Sequence, residues 1–313
     1  MGEQAVVLKQ SVNNLVGYGR VISQEHESYK AKTGKDMFKL KMLIETKDGD
    51  KVNNHFVEKS TPVGNKIHKG LLTVVNEYKK GDLIRVSGNV TVNEWFKEDV
   101  INSMVKLETT FFTRIEQDKV ESTKELMEAK VEMVITGIDP ELDIDGLPTG
   151  NLLVSGMSVG YNNRINPFEN LIVDKKIAKP FENLYTVGQT GVLNLRFHNY
   201  AVVKEEETAD ITLGFGEDNE QISTSTAKSY ERKIEVFGGS QPITDGTEYT
   251  PEDIENMERF HKLALQISRD NAKKKQDGAK KSAPQAGFGQ EVGQAKVEAP
   301  VDFLDDDDDM PNW

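Results

Sequence analysis

The chain is 313 residues long, room for two modest domains with tails, and 36% of it is hydrophobic, compatible with real cores. The absence of cysteine excludes disulfides, thiol nucleophiles and cysteine zinc sites, and no apolar run approaches the ~20 residues of a membrane-spanning helix. The net charge of −13 argues against a polyanion ligand until it is divided: residues 1–118 hold 18 basic and 16 acidic side chains, 119–249 hold 12 and 22, and 250–313 hold 9 and 14. If a polyanion binds anywhere, the first segment is the place. With no basic-then-apolar leader pattern at the start, a soluble, cytoplasmic setting is expected.

The first segment reads as strands. Asn14 to Ile22 alternates small or apolar residues with larger ones, and Gly17 and Gly19 suit a sharply bent barrel strand. Met37 to Ile44 alternates again, Asp48-Gly49 signals a hairpin, and Val52 to Val57 can return beside it. After Ser60-Thr61-Pro62 the period changes, and Ile67, Leu71, Val74 or Val75, and Tyr78 fall on one helical stripe. Beyond Lys80-Gly81-Asp82 a long strand runs from Leu83 to Phe96. Ile84, Val86, Val90 and Val92 point inward, and Arg85, Ser87, Asn89, Thr91, Asn93 and Trp95 outward. Val105 to Ile115 supplies a fifth strand. Three strands, a helix and two strands is the order of the five-stranded Greek-key barrel called the OB-fold, whose open face suits oligonucleotides.

A second β-rich block begins at Lys130 and continues through Asn151–Tyr161, Leu171–Val173, Val192–Val203 and Tyr230–Phe237. Long loops are expected around Asn162–Asn170 and Glu205–Thr226. The expected fold is therefore mainly β, with two OB-type barrels in tandem; whether the second stands alone or packs on the first is open. Thr250-Pro251-Glu252-Asp253 opens a helix, with Ile254, Met257, His261, Ala264 and Ile267 or Ser268 as its packing stripe. From Lys273 the composition turns to Lys, Gln, Gly, Ala and Pro without apolar periodicity. The resulting division is a barrel at 1–118, a second β domain at 119–249, a helix at 250–275, a flexible linker at 276–300 and an acidic tip at 301–313.

Binding a single strand of nucleic acid needs cations for phosphates and flat side chains for bases, the latter worth ~1–3 kcal/mol per base. Tyr18 with Arg20, Lys39 with Lys41, and Arg85 with Trp95 are each an even number of residues apart, so each set can share a strand face. These six are the candidate DNA contacts: Arg20, Lys39, Lys41 and Arg85 for phosphates, Tyr18 and Trp95 for bases. Taken singly, Tyr18, Phe38 and Phe56 read as core aromatics. Tyr161-Asn162-Asn163-Arg164 and Arg196-Phe197-His198-Asn199-Tyr200 are the basic-aromatic clusters of the acidic block, and read as structural or auxiliary. In the tail, Asp305, Asp306, Asp307, Asp308, Asp309 and Trp313 form a charged run capped by an indole. Such a run can compete with phosphates or dock on a basic partner, and an exposed indole adds nothing to solubility.

Catalysis finds little support. His26, His55, His68, His198 and His261 have no metal-ligand spacing, and no phosphate loop or nucleophile elbow appears. Glu141, Asp143, Asp145 and Gly146 resemble the start of a calcium loop, but Leu152 stands where a closing Glu is needed, so an acidic turn is expected. No cofactor, no metal site and no enzyme activity is expected.

The run Gly81-Asp82-Leu83-Ile84-Arg85-Val86-Ser87-Gly88 to Asn93-Glu94-Trp95, together with the tail Asp302–Trp313, resembles bacteriophage-type replicative single-stranded DNA-binding proteins. The resemblance covers residues 10–116 and 301–313, and Trp313 departs from the usual terminal Phe. It implies sequence-independent binding and protection of single strands in replication or recombination, in the host cytoplasm if phage-encoded. It also implies a tip (Asp305–Asp309, Trp313) that recruits replication or recombination proteins and competes with DNA. The alternative is a protein-protein adaptor of the same machinery without strong DNA binding.

Overall fold

The computed structural model describes residues 6–31, 33–97, 99–209 and 222–282, the side chains of 202–209, 222–229 and 275–282 excepted. The first segment forms β1 (Asn13–Lys30), β2 (Asp36–Asp48), β3 (Lys51–Pro62), α1 (Lys66–Glu77), β4 (Leu83–Lys97) and β5 (Val100–Arg114). β1 pairs antiparallel with β2 and β4, β2 with β3, and β4 with β5; a short parallel pairing of β3 with β5 at Val57/Leu107 and Glu58/Glu108 closes the barrel. This is the OB topology. Leu40, Met42, Ile44, Ile84, Val86, Val90 and Val92 fill its interior, each 4% exposed or less. α1 starts at Asn65, whose side chain accepts from the His68 amide (2.7 Å), and buries Leu71 and Val74; Ile67, expected on that stripe, is instead 39% exposed.

The second block repeats the plan with β6 (Met127–Leu142), β7 (Pro148–Val159), β8 (Ile165–Val173), α2 (Lys175–Leu184), β9 (Thr190–Ala209) and β10 (Ile222–Gly239). β6 pairs with β7 and β9, β7 with β8, and β9 with β10, and parallel β8–β10 closes the ring. The irregularities repeat too. β1 shifts register between Val21 and Ser23 and β6 between Ile135 and Gly137; β5 carries an extra residue at Thr110 and β10 at Phe237. Bulges bend strands at barrel corners, so the two halves are built to one pattern in their backbones.

Two expected loops change, one helix is new, and the expected acidic turn is present. The described ends of the stretch expected as a loop, 205–209 and 222–226, belong to strands β9 and β10, and β8 starts at Ile165 inside the other stretch expected as a loop. α2 has no counterpart in the sequence reading. It is short and carries Pro180 inside, and Asp174 starts it by accepting from the Lys176 amide (2.9 Å). The acidic turn at 143–147 is held by Asp143, whose Oδ1 accepts from the amides of Asp145 and Leu147 (both 2.9 Å).

The barrels are not beads on a string. Residues 13–17 of β1 pair antiparallel with 127–131 of β6, making one sheet that runs through both barrels. Two reciprocal contacts flank the seam. Asn53 Oδ1 accepts from the Asn199 amide (2.9 Å), joining β3 to β9, and Asn166 Oδ1 accepts from the Val92 amide (3.0 Å), joining β8 to β4. Buried Glu132 receives the Lys9 ammonium (2.6 Å) and the Val12 amide (3.0 Å), tying the N-terminal segment to the second barrel. The Tyr249 hydroxyl donates to the Lys9 carbonyl and meets Ser11 Oγ (both 2.8 Å); burial pushes its pKa up to about 12.

α3 (Pro251–Ser282) opens with a reciprocal box: Thr250 Oγ1 accepts from the Asp253 amide (3.2 Å) and Asp253 accepts from the Thr250 amide (2.9 Å). Met257 is fully buried among Leu8, Val134, Met157, Val159 and Ile165, with Ile254 and Phe260 beside it. Ala264, expected on the packing face, is exposed, and Leu265 is half-buried in its place, with Ile267 and Ser268 half-buried as expected. Backbone helix continues past Gln276 to Ser282, where composition predicts a linker, because Lys, Ala and Gln are good helix formers.

Candidate nucleic-acid interface

Alternation fixes what barrel one shows to its surroundings. With Leu40, Met42 and Ile44 inside, Lys39, Lys41 and Leu43 line the outer side of β2; with His55 and Val57 inside, Phe56, Glu58 and Ser60 line that of β3. Register sets Lys41 opposite Glu58 and Leu43 opposite Phe56, and continues the wall across β5 and β4 through Lys106/Thr91, Met104/Asn93 and Asn102/Trp95. Glu58 takes two ammonium groups, Lys39 Nζ at 3.7 Å and Lys106 Nζ at 3.5 Å. Both lysines are nearly buried, whereas the Phe56 ring is 66% exposed among them. An exposed ring set among cations can stack a base while the flanking charges meet its phosphates.

The six expected contacts fall into separate places. Lys39 and Lys41 are together on the β2 wall, and Trp95 is half-buried and outward on β4, as the alternation of that strand requires. Tyr18 and Arg85 face each other across β1 and β4. Arg85 is not beside Trp95: ten residues of strand at ~3.3 Å each put it up to about 33 Å away on the same side. Arg20 is engaged, its Nε donating to Glu125 Oε1 (2.9 Å), so it makes a structural ion pair.

Sequence reasoning missed two rings. Phe38 is core, 3% exposed, but Phe56 is outward, and Phe111 on β5 is 65% exposed opposite Ser87, diagonal to Arg85. For Phe56 the signal was its neighbour: once Val57 takes the inward place, the residue before it must point out.

The clusters of the second block hold the molecule together. Asn163 accepts from the Leu8 amide (2.9 Å) and donates to the Val6 carbonyl (2.8 Å), and Arg164 donates to the Val92 carbonyl (3.3 Å). Arg196 grips Glu128 Oε1 with two donors (3.0 and 2.8 Å) and lies over the Phe237 ring at 4.8 Å. The Tyr200 hydroxyl accepts from Lys51 (3.2 Å), which raises the pKa of Lys51. His198 bonds Glu235 (2.8 Å), and His55, buried against Thr46 Oγ1 (3.1 Å), is pushed down to about 4 by burial and then by the charge of His198. Among the described residues no group of three His, Asp or Glu could hold a metal ion, and no helix is long and apolar enough to cross a membrane. Asp305–Asp309 and Trp313 lie outside the described residues.

No curated protein matches the chain in sequence. Among solved structures, the chain is similar to the wild-type single-stranded DNA binding protein of Thermus aquaticus, with 13% identity, a TM-score of 0.48, and 78% of this chain and 99% of that one covered. It is also similar to the Plasmodium falciparum SSB in complex with ssDNA (14% identity, TM-score 0.26, 35% and 100% covered). A third similar structure is Rim1, a mitochondrial single-stranded DNA binding protein of S. cerevisiae (16%, 0.26, 33% and 94%). A protein-family model described as YorF matches residues 11–273, most of the chain. The chain belongs to the YorF family.

Proposed function

We propose that this protein binds single-stranded DNA without sequence preference, using the outer wall of its first barrel. The observation that carries the reading is Phe56, an exposed ring paired with Leu43 and one pleat from the Lys41–Glu58 pair, on the β2–β3–β5 wall of an OB barrel that also bears Lys39 and Lys106. Phe56 and Trp95 stack bases, and the lysines meet phosphates in exchange for their contacts with Glu58. Tyr18 and Arg85 offer a second, lateral contact. Barrel two, with ten more acids than bases across 119–249, repels the strand and keeps it on barrel one. The acidic tip, Asp305–Asp309 with Trp313, recruits replication or recombination proteins and competes with DNA for the lysine wall.

Fluorescence anisotropy of labelled single-stranded and duplex oligonucleotides across salt tests this. Preferential binding of the single strand is expected, with log affinity falling about 0.7 per phosphate contact per log unit of salt. Phe56→Ala should weaken binding by roughly 5- to 150-fold, the value of one stacked base. No binding to either oligonucleotide would move the reading to an adaptor.

A further inference from the structure

The outer half of the β4–β5 hairpin has no sheet neighbour. β1 pairs with β4 only through Leu83–Gly88 and β3 touches β5 only at Leu107 and Glu108, so from Asn93/Met104 to the turn two strands run on alone. An isolated two-stranded ribbon is marginal in water, and this one bears exposed Val100 and Ile101 at its end. It nevertheless carries Trp95, whose usefulness depends on where the ribbon points.

α3 supplies the missing support on one side. Rooted by Met257 in the second barrel, it passes along the ribbon face opposite Trp95 and grips it twice. His261 Nε2 meets Glu94 Oε2 at 2.6 Å, with both side chains largely buried. Two turns on, Arg269 donates from NH2 (3.1 Å) and Nε (3.3 Å) to Asp99 Oδ1 at the hairpin turn, its guanidinium 5.9 Å from the Phe96 ring. Asp99 itself has φ 61, a left-handed turn position, so the grip is on the residue that sets the hairpin's reversal.

We propose that α3 is a brace that fixes the β4–β5 ribbon over the strand-binding wall, and that Glu94, His261, Asp99 and Arg269 are positioning residues for Trp95. The brace comes from barrel two, which gives the acidic half a part in binding without touching the strand. This rests on the single-strand reading for its purpose, though not for its mechanics.

The test uses the full chain with Trp313→Phe, leaving Trp95 as the sole indole. His261→Ala with Arg269→Ala is compared with the parent by hydrogen exchange without DNA. Amides of 93–103 should exchange at least about tenfold faster with β1–β3 unchanged, and iodide should quench Trp95 more strongly. Oligonucleotide affinity should drop several-fold, and the drop should vanish when Trp95→Ala is already present; the charge reversal Asp99→Arg with Arg269→Asp should restore protection at the turn. Unchanged exchange at 93–103 overturns the brace. Faster exchange with affinity losses that simply add to that of Trp95→Ala overturns the positioning role. If the parent binds no single strand while 93–103 still loosens, the brace stands and the DNA reading fails.

Discussion

His55 shows how a single side chain records the joining of the barrels. Its ring is 3% exposed, against Thr46 on one side and near His198 of the second barrel on the other, and it is held neutral down to about pH 4. A histidine whose folded pKa lies below its unfolded value of about 6.5 binds fewer protons folded than unfolded between those limits. Stability from this group is therefore whole above about pH 6.5 and is lost as pH falls toward 4, by up to about 3 kcal/mol. Urea midpoints measured between pH 7 and 4.5 should fall steeply, and His55→Gln should flatten the curve; an equal slope in the variant would refute the assignment. Side-chain facts of this kind were half legible in the sequence. The outward file of β4 can be read from its valines, but the sequence assigns Phe56 to the core, because an isolated aromatic gives no sign of its side until its neighbours' burial is known. The ion pair of Arg20 was hidden for a similar reason: its partner Glu125 is 105 residues away.

Elements with a strong internal period were readable, those ordered by their surroundings were not. β1 to β5 and α1 announce themselves by alternation, by Asp48-Gly49 and by a 3.6-residue stripe. α2 does not, since Pro180 argues against a helix and its only firm local signal is Asp174 as a cap. The far end of the β9–β10 hairpin, 205–209 with 222–226, also escaped, because Glu205–Glu207 lack the β-branched pattern by which strands are recognised. Within β4, Gly88 is the point on which register depends. A Cβ there would lie 1.9 Å from the Glu108 carbonyl oxygen and 2.9 Å from Thr109 Cα, beside the extra residue Thr110 of β5, and both are backbone that cannot yield as a side chain would. Gly88→Ala should cost about 2–3 kcal/mol or more by denaturant unfolding; a change under 0.5 kcal/mol would mean that the bulge is softer than drawn.

At the scale of the whole molecule the barrels share a sheet, a merged core and two flanking asparagine contacts, so they should melt as one unit. Calorimetry of the full chain should give a single transition with matching calorimetric and van't Hoff enthalpies. Two resolved transitions would show that the seam is weaker than the barrels. This union was invisible in the sequence because Gly17 meets Met127 through fold closure alone; a Cβ on Gly17 would sit 2.3 Å from the Met127 sulfur. The same seam relates two halves alike in backbone and unlike in surface: one presents Phe56 among lysines, the other Glu235, Ile172 and Leu153 at matching strands. A body with two equivalent halves would read a strand the same from either end. This one has a head and a tail, so if it binds a single strand as proposed, each copy settles on that polar chain in one orientation, and neighbours along it all face the same way.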